Sequence, residues 1–183
     1  MKKIIAIGLV LMFGCIMQGY AATSDTCAMS VTITVSKDVT VTDDPLAFGS
    51  ITAGQSGVST LGATVNNAGS TSQSYRLQIT AKPATWGVKE TAGSTGAEQF
   101  QLLALFCTKT PVVGDFLDAD DIVNLSSTRN ASATIFGITA EGATAKGYSC
   151  TATSSRKLWF KFEAPTSTDL TAQQWITVTV TCY

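Results

Sequence analysis

The chain has 183 residues, with 12 basic and 13 acidic side chains, 45% hydrophobic residues and no histidine. The nearly balanced charge, with no run of Lys or Arg beyond the first three residues, gives no electrostatic support for nucleic-acid binding. The lack of histidine removes the most common general base and transition-metal ligand, together with every Ser-His or Cys-His nucleophile pair. We therefore expect that the protein is not an enzyme and has no nucleic-acid partner.

Residues 1–21 have the order of an export signal. Lys2 and Lys3 precede an apolar run over residues 4–17, which is followed by a short polar exit. The run is shorter than the roughly 20 residues that span a bilayer, so no transmembrane helix is expected in the mature chain. Gly19 and Ala21 provide small residues for cleavage after Ala21. The remaining residues, 22–183, are expected to form one domain located outside the cell, on its surface or in the periplasm.

Four cysteines remain if this signal is removed: Cys27, Cys107, Cys150 and Cys182. An even number in an oxidising compartment predicts two disulfides, for which three pairings exist. Alternation places Cys27 and Cys182 on the inner faces of the first and last strands, which favours Cys27–Cys182 and leaves Cys107–Cys150. An alternative interpretation of residues 1–21 is a lipoprotein signal in which Cys15 is lipidated, because the residues before Cys15 resemble a degraded lipobox.

Short runs of Val, Ile, Thr and aromatic residues that alternate with polar residues predict β-strands along the mature chain. The runs occupy residues 29–42, 46–49, 58–65, 72–80, 98–107, 157–163 and 175–183. The turn signal Asn-Asn-Ala-Gly at 66–69 predicts a hairpin between its two flanking runs. The 98–107 run is apolar on both faces, as in a central buried strand. All four prolines lie between the runs, where a missing amide donor breaks no ladder.

No segment of a dozen residues keeps helical spacing, so crossover helices and a parallel α/β fold are not expected. Residues 108–149 form a long loop excursion, with a helical turn predicted near 118–125. The pattern predicts an all-β fold, an antiparallel β-sandwich of about seven or eight strands.

Three stretches carry a resemblance to known families: Leu-Ala-Phe-Gly-Ser-Ile-Thr-Ala-Gly at 46–54, Val-Asn-Asn-Ala-Gly at 65–69 and Tyr-Arg-Leu-Gln-Ile at 75–79. Together they resemble the immunoglobulin-like domains of bacterial surface and secreted proteins, over about the first third of the mature chain. The resemblance implies an immunoglobulin-like sandwich and no catalytic residues.

The alternating first and last strands and the Phe-Gly step also resemble fimbrial subunits and spore-coat-U-like proteins. Fimbrial subunits usually pair two early cysteines, whereas Cys27 has no partner before Cys107. The sequence therefore departs from the fimbrial pattern in its cysteines.

The densest acidic cluster comprises Asp115, Asp118, Asp120 and Asp121. Clustered oxygen ligands on a loop suit calcium, which an exported protein meets at high concentration. The D-x-D-x-D-G loop is missing, so the alternative is a capped turn in a solvated loop. Calcium is the one cofactor that this pattern suggests.

Trp159 and Trp175 lie opposite the predicted core residues of their strands, where they would form a platform for sugar rings. The alternative is that they pack beneath the 108–149 excursion. The two hypotheses for function follow from these features. The first is a secreted or cell-surface structural or adhesive protein, a subunit of an extracellular assembly, with strand edges for addition of a protein partner or a second copy. The second is a carbohydrate-binding module with a glycan partner.

Overall fold

The computed structural model describes residues 30–138 and 141–183. The predicted signal peptide, Cys15 and Cys27 lie outside these residues. The described residues form nine strands: β1 (Val39–Thr42), β2 (Ser56–Val58), β3 (Ala63–Asn67), β4 (Tyr75–Ala81), β5 (Gly87–Val88), β6 (Gln99–Phe106), β7 (Arg129–Asn130), β8 (Ser155–Glu163) and β9 (Thr177–Cys182). Two 3₁₀ turns, Val113–Asp115 and Ala143–Ala145, complete the regular structure of this part. None of its helices has the length and apolarity that a membrane span needs.

The strands form two sheets that face each other across one core. The larger sheet has the order β1-β3-β8-β6-β5, with β2 also paired to β8, and the smaller sheet has the order β7-β4-β9. Neighbours are antiparallel except for β5 and β6. The predicted all-β, sandwich-like fold is confirmed. The described part holds more strands than predicted because β2, β5 and β7 have only two or three residues each, too few to show alternation.

The main core lies between the inner faces of β4, β6 and β8. Its fully buried side chains include Tyr75 and Phe106, which stack with ring centroids 5.8 Å apart. The opposite face of β6 is also covered, because Leu103 and Leu105 pack with Trp159 and with residues of the excursion. The prediction that residues 98–107 form a strand buried on both faces is therefore confirmed, although the middle strand of the sheet is β8 and β6 lies beside the edge strand β5.

The predicted first strand, 29–42, is wrong over most of its described length. Residues 30–38 adopt neither helix nor strand, and pairing in register begins only at Val39. The backbone carbonyls of Ser36 and Asp38 still accept hydrogen bonds from the amides of Ser70 and Ala68. Alternation identifies side chains that suit a buried face, but a strand also needs a neighbouring strand to pair with. Because β3, the partner of β1, ends at Asn67, its ladder with β1 does not extend to residues 30–38.

The predicted hairpin around residues 66–69 is also wrong, because β3 and β4 belong to different sheets. The buried Asn67 side chain donates hydrogen bonds to the carbonyls of Thr71 and Cys150, each at 2.9 Å. These bonds hold an arch between the sheets. A turn signal gives the change of direction but does not show whether the chain returns to the same sheet.

The helical turn predicted near residues 118–125 is confirmed at its start, where the amides of Asp120 and Asp121 donate to the Leu117 carbonyl at 3.0 and 2.8 Å, but the chain from Ile122 pairs with β6 instead. Ile122 forms a β-bridge with Leu103, and the Val123 amide donates to the Leu102 carbonyl at 2.8 Å. The 3₁₀ turn lies earlier, at Val113–Asp115. The polar groups along this edge of β6 need partners because the strand is buried, and the excursion supplies them.

Candidate functional site

Among the described residues, each of the two sheets has a free edge on the same side of the sandwich. In the smaller sheet β9 pairs with β4 alone, and in the larger sheet β1 pairs with β3 alone, as far as the described residues show. The two edge strands lie next to each other. Unpaired strand edges present rows of backbone donors and acceptors that a further strand can bind.

The core is incompletely covered along this open side. On β4, Tyr75, Leu77 and Ile79 have no exposed surface. The neighbouring inward residues of β9 reach the same core but are only partly buried: Val178, Val180 and Cys182. Val39 of β1 is likewise partly buried. Apolar side chains that point into a core yet keep solvent contact mark a place where covering structure is missing.

The segment before β1 carries an apolar row of its own. Val31, Ile33 and Val35 are 82%, 79% and 65% exposed, and they alternate with exposed threonines. Val and Ile are usually buried, and this alternation is the pattern of a strand with one face against a core. The sequence correctly identified the pattern but assigned it to a strand within the domain.

The two tryptophans proposed as a glycan platform have different environments. Trp159 is only 7% exposed and packs with Leu105, Phe116 and Ile122 beneath the excursion. Its ring is so close to Gly62 that a Cβ there would lie 2.7 Å from it. Trp175 is 61% exposed. The structure therefore does not bring the two rings together on one surface, and for Trp159 the packing alternative holds.

The four aspartates proposed for calcium do not converge. Asp115 accepts a hydrogen bond from the Val112 amide at 2.8 Å, and Asp118 accepts one from the Gly93 amide at 3.4 Å. Asp120 is half-buried, and Asp121 is buried. Within residues 30–138 and 141–183 no three carboxylates or thiols are grouped to hold a metal ion. Asp115, Asp118 and Asp121 accept hydrogen bonds from three separate backbone amides, which disperses the carboxylates that the sequence places together.

Asp121 is the unusual member of this group, because it is 1% exposed. One carboxylate oxygen accepts a hydrogen bond from the Leu117 amide at 2.7 Å, and the other has no partner among the described residues. Burial raises the pKa of Asp121 to about 7, Asp120 adds to the increase, and the Leu117 amide and Arg129 oppose it. A run of aspartates in the sequence gives no sign of which one turns inward.

Asp118 lines a pocket of about 300 Å³ together with Glu90, Asn124 and Arg129. The charged groups there are already engaged by the protein. Glu90 accepts hydrogen bonds from the backbone amides of the adjoining loop, and Arg129 donates to two backbone carbonyls. Their hydrogen bonds serve mainly to hold the excursion in place.

The predicted Cys107–Cys150 disulfide is not formed. Cys107 belongs to the cluster outside the larger sheet, and Cys150 belongs to the main core between the sheets. Both are buried free thiols. The sheet separates them, which the linear order of the chain does not reveal. Cys182 is a half-buried free thiol, and the Cys27–Cys182 pairing stays a prediction because Cys27 lies outside the described residues.

We expect Cys107 and Cys150 to resist alkylation in the reduced native protein. Burial raises the pKa of Cys107 to about 12, with Glu141 and Asp115 adding to the increase, and burial also raises the pKa of Cys150. The reactive thiolate of Cys107 is then roughly a thousandfold scarcer than in the unfolded chain. Residue-resolved mass spectrometry after iodoacetamide treatment should show Cys182 modified first. Equal labelling of all three in the native state would contradict this burial.

Sequence reasoning missed two residues on the outer surface of the smaller sheet, Arg76 and Tyr183. Arg76 sits within a well-predicted strand, and Tyr183 follows the last one. Their outward positions follow from alternation, but their shared face depends on which strands pair.

No family model, curated protein or solved structure matches the chain. The function of the chain is therefore inferred from its own sequence and geometry.

Proposed function

We propose that this chain is an exported structural or adhesive subunit, of immunoglobulin-like type, that joins an extracellular assembly by β-strand addition. The observation that carries the proposal is the incomplete cover over Val178, Val180 and Cys182 beside a free strand edge. A strand added there would satisfy the open backbone groups of β9 and shield these side chains. Its main-chain hydrogen bonds would hold the complex and its side chains would set the register.

The proposed added strand is the segment 30–36 of a second copy. Its exposed Val31, Ile33 and Val35 repeat every two residues, the same spacing as the three inward side chains of β9. Burial of a Val or Ile side chain contributes roughly 1.5 to 3 kcal/mol. Burial of these three side chains would therefore offset part of the conformational entropy that the segment loses when it is ordered on binding.

A matched pair of substitutions tests this proposal. We expect wild-type protein to form oligomers whose size rises with concentration, measured by light scattering on a sizing column. Ile33→Asp should give monomers, because it places a charge in the apolar row. Thr34→Asp adds the same charge to the opposite side of the segment and should leave the oligomers intact.

Hydrogen exchange provides the second measurement. The backbone amides of β9 should exchange more slowly in the oligomer than in the Ile33→Asp monomer, because edge groups become paired. A wild-type protein that is monomeric at every concentration, or two variants that behave alike, would reject strand addition by this segment.

A further inference from the structure

The outer face of the smaller sheet has an unusual chemistry for this chain. Its strands β4, β7 and β9 contain no acidic residue, although acidic residues outnumber basic ones in the whole chain. Alternation places seven polar side chains on this face: Arg76, Gln78, Thr80, Asn130, Thr177, Thr179 and Thr181. The face is therefore rich in hydrogen-bonding groups and carries a positive charge.

Arg76 lies on β4, the middle strand of this sheet, near the beginning of that strand. In the strand register it lies opposite Asn130 on one side and Thr181 on the other, so the three side chains form a row across the sheet. Its Nε is buried without a hydrogen-bond partner, and no carboxylate within the described residues forms a salt bridge with it. A guanidinium presents a planar fork of donors that matches a carboxylate.

Tyr183 places an aromatic ring on the same face. Its backbone pairs with Ser74, and its hydroxyl donates a hydrogen bond to the Ala131 carbonyl at 3.2 Å. Ala131 follows β7, and β4 lies between β7 and β9. The Tyr183 side chain therefore crosses over the backbone segment that precedes β4, and it is 38% exposed. The ring is held at both ends while part of it faces solvent.

Trp175 lies at the opposite end of β9. Ile176 packs against the main core, so alternation directs the exposed Trp175 to the outer side. Trp175 and Tyr183 are eight residue steps apart, which corresponds to roughly 26 Å of extended chain at about 3.3 Å per residue. The face thus has an aromatic ring near each end and Arg76 with its polar row between them.

We propose that this face binds an acidic polysaccharide, a chain of sugar units that carry carboxylates. The aromatic rings would stack on the apolar faces of sugar rings, and the side chains of Asn130, Thr177 and Thr181 would bind sugar hydroxyls. The Gln78 amide already donates to the Leu125 carbonyl, and the Thr80 and Thr179 hydroxyls bond to each other. Arg76 would bind one carboxylate through its fork of donors. The length of the face suits an extended polymer better than a single sugar. The inference is independent of strand addition, because it uses the outward side chains of β9 and not its backbone edge.

Titration calorimetry with polygalacturonate, and with its methyl ester as the neutral counterpart, tests the proposal at constant ionic strength. Wild-type protein should bind polygalacturonate and bind the ester at least tenfold more weakly. Arg76→Gln should weaken polygalacturonate binding at least tenfold. Lys109→Gln removes the same charge from an exposed site on the excursion and should leave binding unchanged.

The aromatic contribution has its own variants. Tyr183→Ala should lose most of the affinity, and Tyr183→Phe, which keeps the ring, should retain it. Trp175→Ala should weaken binding of the polymer but not of trigalacturonate, which is too short to reach it. Absence of polygalacturonate binding, equal binding of the ester, or affinity unchanged by Arg76→Gln would overturn the proposal.

Discussion

Substitution of Gly147 by Ala is expected to lower the free energy of unfolding by about 3 kcal/mol. A Cβ at this position would overlap the Phe106 ring and lie 3.0 Å from the Ala131 Cβ. Phe106 is fully buried and stacked on Tyr75, whose amide donates to the Gly147 carbonyl at 2.8 Å. The new methyl group has no space unless this aromatic pair moves, and closely packed cores resist such movement.

Thermal unfolding provides the measurement, with an expected fall in Tm of roughly 6 to 12 °C for a chain of this size. Gly114→Ala is the matched control, because that glycine is exposed and a Cβ there would meet nothing within 4 Å. Its effect should remain within about 0.5 kcal/mol. Equal melting temperatures for the two variants would show that the Phe106 ring has room to move.

A second background separates steric overlap from a backbone effect. Phe106→Leu removes part of the ring that meets the new Cβ, so Gly147→Ala should cost much less in that background. If Gly147→Ala lowers the free energy of unfolding equally in both backgrounds, the effect arises from the backbone of residue 147 and not from overlap with the ring.

The contribution of Asp121 to the free energy of unfolding is expected to fall as pH rises from about 4 to about 7. Asp121 has a pKa of about 7 in the folded chain and about 4 when unfolded. Between these values the folded state holds a proton that the unfolded state has released, so raising the pH favours unfolding. The loss from this group amounts to roughly 2 to 4 kcal/mol, and the dependence should level off above pH about 7.

Urea unfolding followed by tryptophan fluorescence across this pH range checks the result. Asp121→Asn cannot titrate and should lose this part of the pH dependence, whatever its absolute stability. Asp169→Asn is the control, because it makes the same chemical change at an exposed position and should keep the wild-type slope. A wild-type slope retained in Asp121→Asn would mean that another group titrates in this range.

The two functional proposals are separable by experiment. Ile33→Asp alters the segment proposed to add to the edge of β9, and it should leave polygalacturonate affinity per subunit unchanged. Arg76→Gln alters the outward face of the sheet, and it should leave oligomer size unchanged. Failure of one proposal therefore does not remove the other.

Alternation in the sequence predicted the strands that combine length with one apolar face. β6 and β9 fall within predicted runs, and β4 and β8 extend beyond theirs by one or two residues, because a side-chain period of two records which residues meet the core. The apolar character of both faces of β6 likewise indicated that both are buried, since each face packs in a separate cluster. Which side chains of a strand share a face is a local property, and the sequence carries it directly.

The candidate sites were predictable only in part. The sequence identified the Val and Thr pattern of the terminal segments and the exposed Trp175. It did not show that Trp159 lies under the excursion, or that Asp121 turns inward while its neighbours remain more accessible. Each of these outcomes depends on what a distant part of the chain covers, and side-chain type is the same in either case.

By itself, the sequence determined that the chain builds an all-β domain without histidine chemistry, because composition and alternation are properties of the residues alone. Only the tertiary structure decided which sheet each strand joined, and with it the separation of Cys107 from Cys150 and the open side along β9. A turn signal specifies the local direction of the chain, and the strand period specifies which side chains share a face, each over only a few residues. Sheet membership depends on hydrogen bonds and packing between segments far apart in the chain, which no local pattern records.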